Sequence, residues 1–167
     1  MREDLVKSFV KNASAAGVRC FEPDSIEEFH ALLQEIIDAE KLIFCSGLTP
    51  LEQSVAIPSG KQTHDLTEAS AAVEEVKWGI AESGTIVCGG STRKHLQASL
   101  LPEHHIALLF ANNIHENFLS LVKAFTILPR NLTLITGPSR TADIEKTLVL
   151  GMHGPRRVTV FLLPDPP

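Results

Sequence analysis

The chain is 167 residues long, 44% hydrophobic and 21% charged, with a formal net charge of −5. That length can bury a real core and suits one domain. The acidic balance, with no basic block, speaks against nucleic acid as a partner, and the apolar runs are too short to cross a bilayer.

The elements follow in chain order. Leu5, Val6, Phe9, Val10 and Ala13 recur at helical spacing and predict an opening helix that ends near Gly17. The start Met1-Arg2-Glu3-Asp4 runs straight into that pattern without the apolar core of a signal peptide, so a cytoplasmic location is expected. Val18 to Phe21 reads as a short strand. Ser25 begins a second helix with Glu28 at capping-box spacing, and Phe29, Leu32, Leu33, Ile36 and Ile37 form its buried stripe. Lys41 to Cys45 is a strand running into Ser46-Gly47. Pro50 to Ala56 suits a short helix, Pro58-Ser59-Gly60 a turn, and Thr67 to Glu75 a weak helix.

Val76 to Ala81 and Thr85 to Cys88 read as strands flanking Glu82-Ser83-Gly84, and Gly89 to Gln97 as a polar, Gly-rich loop. Ile106 to Phe110 is a fully apolar strand. Phe118, Leu121, Val122 and Phe125 line a third long helix. Leu132 to Ile135 predicts a buried strand, and Val158 to Leu163 the last one, before a proline-rich tail. Helices alternating with continuous apolar strands imply an α/β fold: a mostly parallel sheet with helices on both faces, organised as a single domain over residues 1–167.

Four stretches are candidates for chemistry. The richest is Thr136-Gly137-Pro138-Ser139-Arg140-Thr141-Ala142-Asp143-Ile144-Glu145, read as a strand-to-helix turn before a helix that stops at Gly151. In an open α/β sheet such a turn lies at the carboxyl end of a strand, where ligands collect. Gly137 admits close approach to the backbone, free helical N–H groups favour an anion, and Arg140 adds a planar donor fork. Asp143 and Glu145 in the first turn equally suit a self-capped helix start. In the second stretch Glu82, followed by small residues, can face a pocket as base or nucleophile, or sit exposed on a plain hairpin turn. The third, Gly89-Gly90-Ser91-Thr92-Arg93, offers backbone donors and a second guanidinium, or is a surface loop. The fourth is Glu103-His104-His105. Adjacent histidines on a strand point in opposite directions and chelate poorly by themselves, so no metal ligand set is read here. His153 is placed to act as an acid or base near neutral pH, or to hydrogen-bond a neighbouring loop.

The three cysteines, Cys20, Cys45 and Cys88, are far apart and read as buried, inert thiols. Without Cys-x-x-Cys, this chain has no ligand set for an iron–sulfur cluster or a structural zinc. Walker, dinucleotide and Gly-x-Ser-x-Gly patterns are also absent from the sequence.

In order along the chain, Glu82-Ser83-Gly84-Thr85, Leu101-Pro102-Glu103-His104-His105-Ile106, the Thr136–Glu145 run and Gly151-Met152-His153-Gly154-Pro155 resemble the LUD domain of the bacterial lactate utilization C proteins. The resemblance runs from about Val76 to Leu163. The N-terminal half agrees in layout, and the stretch from Ser46 to Ala72 is expected to be trimmed. The resemblance implies a fold similar to ribose-5-phosphate isomerase, glucosamine-6-phosphate deaminase and CoA-transferases. It also implies an accessory or ligand-binding subunit of a cytoplasmic complex oxidising L-lactate to pyruvate. Such a chain would bind no cofactor of its own, its iron–sulfur clusters residing on partner subunits; a homodimer is compatible with it. If the chain catalyses anything, it does so within that L-lactate oxidoreductase system. The implied site for a small anionic ligand gathers Ser83, Gly84, Thr85, Arg93, Gly137, Pro138, Ser139, Arg140, Thr141, Asp143, Glu145 and His153, with Glu82 as catalytic candidate. In CoA-transferases of that fold a glutamate near a Gly-containing turn becomes a thioester, and Glu82-Ser83-Gly84 resembles that turn. Two other readings stand beside it. One is a stand-alone enzyme acting on a sugar phosphate, folate or acyl-CoA, and the other is a non-enzymatic scaffold or regulatory binding module.

Overall fold

The computed structural model describes residues 2–89, 97–127, 129–139 and 154–164. Its first helix, α1 (Arg2–Ala15), buries Phe9 and Ala13 and ends on Gly17, whose φ of +93° takes the chain into β1 (Arg19–Phe21). Helix α2 (Ile26–Ala39) is capped by Ser25, whose side chain accepts from Glu28 N at 3.1 Å. Glu28 reaches back to Asp24 N at 2.7 Å, one residue before the usual capping-box partner. Strand β2 (Ile43–Cys45), the short helix α3 (Pro50–Gln53) and β3 (Gln62–Thr63) follow.

The next segment departs from the sequence expectation. Thr67 to Glu75 was expected to be weakly helical, but Ala71–Glu75 is a strand, β4. It lies between β2 and β7 (His104–Phe110) in a parallel sheet. Alanine and glutamate favour a helix locally. Here pairing on both sides and burial override that preference, and the small Ala71 and Ala72 let the covering layers approach.

Among the described residues the parallel sheet has six strands in the order β1-β10-β7-β4-β2-β3, with β10 spanning Arg157–Leu163. Helix α2 covers one face. There Phe29, Leu33 and Ile37 pack on Ile43, Val73, Ile106, Leu108 and Phe161. The opposite face meets α1 and a second, mixed sheet that the sequence reading did not separate from the first. Its order is β8-β5-β6-β9: Ile114–His115, Trp78–Ile80, Thr85–Gly89 and Leu132–Ile135. Helix α4 (Phe118–Ala124) closes its outer side through Leu121 against Ile80 and Val87. This is the expected third long helix, cut to seven residues. Phe125 already leaves the helical conformation, with ψ 118°. The last strand before the Thr136 turn is likewise less buried than expected, since in β9 only Ile135 is fully inside while Leu134 lies largely open to solvent.

Candidate functional site

The two turns singled out in the sequence meet. Residues 81–84 form the hairpin turn between β5 and β6, and Thr136 follows β9, which pairs antiparallel with β6. Thr85 Oγ1 lies 2.6 Å from Ser83 Oγ and 2.7 Å from Thr136 Oγ1, a chain of three hydroxyls joining the turns. Ser83, Gly84 and Thr85 therefore share one corner of the molecule with Gly137, Pro138 and Ser139.

What approaches the two glycines is the protein itself. A Cβ on Gly84 (φ +64°) would stand 2.1 Å from Ala13 N, and one on Gly137 (φ +87°) 2.3 Å from the Ala16 carbonyl oxygen. Pro138 packs on Gly17 across the same seam. The turn is thus not at the carboxyl edge of the parallel sheet, as the sequence reading placed it. It follows a strand of the small sheet and rests on the C-terminal end of α1, where the Asn12, Ala13 and Ser14 carbonyls accept from the N–H groups of Ala16, Gly17 and Val18. Glu82 is exposed on the hairpin turn. Its N–H donates to Glu116 O at 2.9 Å, and its carbonyl accepts from Asn12 Nδ2 at 3.1 Å. Ser139 N donates to Pro155 O at 2.8 Å, tying the turn to the approach of β10. Arg93, Arg140, Thr141, Asp143, Glu145 and His153 lie outside the described residues.

The histidine pair separates as expected for neighbours on a strand. His104 shares the α2 face with Glu40, which sits at the end of that helix. Nδ1 is 2.8 Å from Glu40 Oε1, and Nε2 2.9 Å from Thr159 Oγ1. Glu40 also takes a hydrogen bond from Ser70 Oγ at 3.0 Å and pairs with Arg157 Nη2 at 2.8 Å. Burial works to raise the Glu40 carboxyl, but the bonds from His104 and Ser70 and the Arg157 charge outweigh it and hold it below its ordinary value. Burial, with Arg157 adding to it, pushes His104 below the usual imidazole range. The charges are therefore Glu40⁻ and Arg157⁺, with a neutral His104 donating from Nδ1 and accepting from Thr159. Register places His104 opposite Ala71 and Arg157, at the amino ends of the strands. That edge is the one away from which ligands bind in such sheets, so the network reads as structural.

His105 points the other way, to Glu74 Oε2 at 3.1 Å, with Cys88 beside them. The sequence reading missed this group. No spacing links Glu74, Cys88 and His105, and one of them sat in a segment expected to be helical. At the carboxyl edge, Glu52 is a buried carboxylate held by Ser46 Oγ, by Leu48 N at 3.1 Å and by Glu75 N at 3.0 Å. A separate open groove of about 200 Å³ between α2 and the chain after α3 is lined by His30, Leu33, Gln34, Ile37, Ser54 and Ala56, none of them a sequence-predicted site residue.

The architecture defines an α/β protein with a mostly parallel sheet between helices and a smaller mixed sheet. A crystal structure of a DUF162 family protein from Deinococcus radiodurans shares it, with a TM-score of 0.70 over 98% of each chain at 18% identity. The LUD domain family matches residues 59–163, and the chain belongs to that family. The match begins earlier than the resemblance noted from Val76 and takes in β3 and β4. An uncharacterized protein of Neisseria meningitidis is 33% identical over 125 residues, 72% of this chain and 53% of that one. Lactate utilization protein C of Macrococcus caseolyticus is 37% identical over 93 residues, 52% of this chain and 40% of that protein. The namesake from a Geobacillus strain is 34% identical over 97 residues, 52% and 39%. The chain thus spans about half or less of the curated relatives it matches. Among the described residues no helix is long and apolar enough to cross a membrane.

Proposed function

We propose that this chain serves lactate utilization, as an accessory or ligand-binding subunit of a complex that oxidises L-lactate to pyruvate. The observation that carries the reading is the 37% identity to lactate utilization protein C over 93 residues, together with the LUD domain match over residues 59–163, which hold both turns. The iron–sulfur clusters of that reaction belong, on this reading, to partner subunits. The small anion would sit where Ser83, Gly84 and Thr85 approach Gly137, Pro138 and Ser139. Arg93, Arg140, Thr141, Asp143, Glu145 and His153 would complete the site from the adjoining sequence. Support for that placement comes from the hydroxyl chain that joins the two turns. Glu82, exposed beside it, is available to a ligand.

The test is genetic. Deleting the gene should abolish growth of the host on L-lactate and leave growth on glucose intact, and a wild-type copy should restore it. A copy carrying Arg140→Ala should restore it poorly at equal protein level. Undiminished growth of the deletion strain on L-lactate overturns the proposal.

A further inference from the structure

Glu74, Cys88 and His105 come together from three strands, β4, β6 and β7. Ala72 stands opposite His105 and Glu74 opposite Ala107, so Glu74 and His105 project from the same face of the parallel sheet. That face packs against the small sheet, which contributes Cys88. The three residues are 4%, 0% and 2% exposed for Glu74, His105 and Cys88. One nitrogen, one oxygen and one sulfur lie within 4.8 Å of one another.

The group is incomplete by itself. His104, the next residue, has both ring nitrogens satisfied. His105 has Nε2 on Glu74 and no partner for Nδ1 among the described residues. A neutral ring leaves a bare lone pair beside a buried carboxylate that has no cation. A protonated ring leaves a buried N–H donor with no acceptor. Each state carries a deficit that interiors rarely tolerate. A divalent cation bound to Nε2 in place of this hydrogen bond supplies the missing positive charge, since one carboxylate and one thiolate balance its two charges and the ring supplies a neutral lone pair; the ring proton then sits on Nδ1.

We propose that Glu74, Cys88 and His105 form a metal site of the zinc class that ties the small sheet to the parallel sheet. The mixed sulfur, nitrogen and oxygen donor set suits zinc. Zinc bonds of about 2.0–2.3 Å set tetrahedral edges of roughly 3.3–3.7 Å, so the Nε2–Oε2 pair at 3.1 Å is nearly in place, and the sulfur, within 4.8 Å of both, needs a shift of at most about 1.5 Å. A water completes the tetrahedron. On binding, the Cys88 sulfur–metal bond forms and the thiol proton leaves to solvent. Burial pushes the free thiol well above its ordinary range and the Glu74 charge adds to the rise. The cation enters as the two sheets close, because ligands from both must assemble around it. This site is independent of the lactate reading and survives its failure.

Metal content, cobalt absorption and melting temperature test it. The untagged full chain is purified from zinc-supplemented cells, stripped with chelator, and reloaded with Zn²⁺ or Co²⁺. Near-stoichiometric zinc is expected, with a thiolate-to-cobalt charge-transfer band. Reloading at a hundredfold excess over Kd should raise the melting temperature by roughly 5–10 °C. Cys88→Ala should abolish the band, and Glu74→Gln and His105→Gln should each weaken zinc binding more than about tenfold. Should these variants fail to fold, the wild type decides. Metal-free protein from zinc-supplemented cells that also shows no band after refolding with Co²⁺ overturns the site. So does a band that persists in Cys88→Ala, which would assign it to Cys20 or Cys45. Zinc that binds and leaves without moving the melting temperature overturns the link between the sheets.

Discussion

Thr85 Oγ1 and Thr136 Oγ1 stand 2.7 Å apart, one step beyond the Ile86–Ile135 pair that ends the β6–β9 ladder. The bond extends the sheet by side chains where the backbone pairing stops. It fixes the β5–β6 hairpin turn to the start of the Gly137 turn. Thr85→Val keeps the shape and removes the hydroxyl from a buried position. A loss of about 1–2 kcal/mol in unfolding free energy is expected. Adding Thr136→Val should then cost less than it does alone, with a coupling of about 1 kcal/mol in a double-mutant cycle followed by urea unfolding. Strict additivity would show that the bond contributes nothing.

Gly84 and Gly47 make a matched pair. Both have φ of +64°, but a Cβ at Gly84 meets the α1 backbone at Ala13 and Asn12, whereas one at Gly47 meets nothing within 4 Å. Gly47→Ala should cost about 1 kcal/mol from backbone conformation alone. Gly84→Ala adds displacement of α1, for a total of about 2–4 kcal/mol. Thermal unfolding of the two variants separates the terms, and equal losses would contradict the tight seam.

The same contrast explains what the sequence revealed and what it hid. The stripes of α1 and α2, the Ser25 cap and the apolar β7 and β10 were legible because periodicity and capping are local signals. Ala71–Glu75 was not, because its local preference is helical and only its neighbours in the sheet make it a strand. Gly137 was legible as a close approach, but not its partner: a glycine reports that something comes near, and Ala16 lies too far away in sequence to be named. The two turns were each visible, and their junction through Thr85 and Thr136 was not. Glu74, Cys88 and His105 were hidden for the same reason, since each looks ordinary until three strands bring them together.

Glu52 holds the loop after β2. Its carboxylate accepts from Ser46 Oγ and Leu48 N on that loop and from Glu75 N at the end of β4. Glu52→Gln replaces one oxygen by a donor that faces donors, so it loses at least one charge-assisted bond. A destabilisation of about 1.5–3 kcal/mol is expected in urea unfolding. A change under about 0.5 kcal/mol would mean that solvent, rather than Glu52, satisfies those groups.

Glu40 gives the pH dependence a sign. His104, Ser70 and Arg157 face its carboxylate, and together they hold it below its ordinary value despite burial. The unfolded chain, with a glutamate near the usual value of about 4.3, therefore takes up the proton first as the solution is acidified. The stabilisation is fully present above about pH 4.3 and is lost as pH falls through the lower folded value. Glu40→Gln removes this dependence along with the bond. It should lower stability near pH 7 by about 1–3 kcal/mol, since Arg157 can turn to solvent while His104 and Ser70 lose a charged acceptor. As pH falls from about 4.3 through the lower folded value, the gap between the variant and the wild type should narrow progressively. Unfolding free energies measured from pH 3 to pH 7 check this. A gap that stays constant across the range would mean that Glu40 acts by shape alone, and a gap that widens in acid would reverse the sign of its linkage.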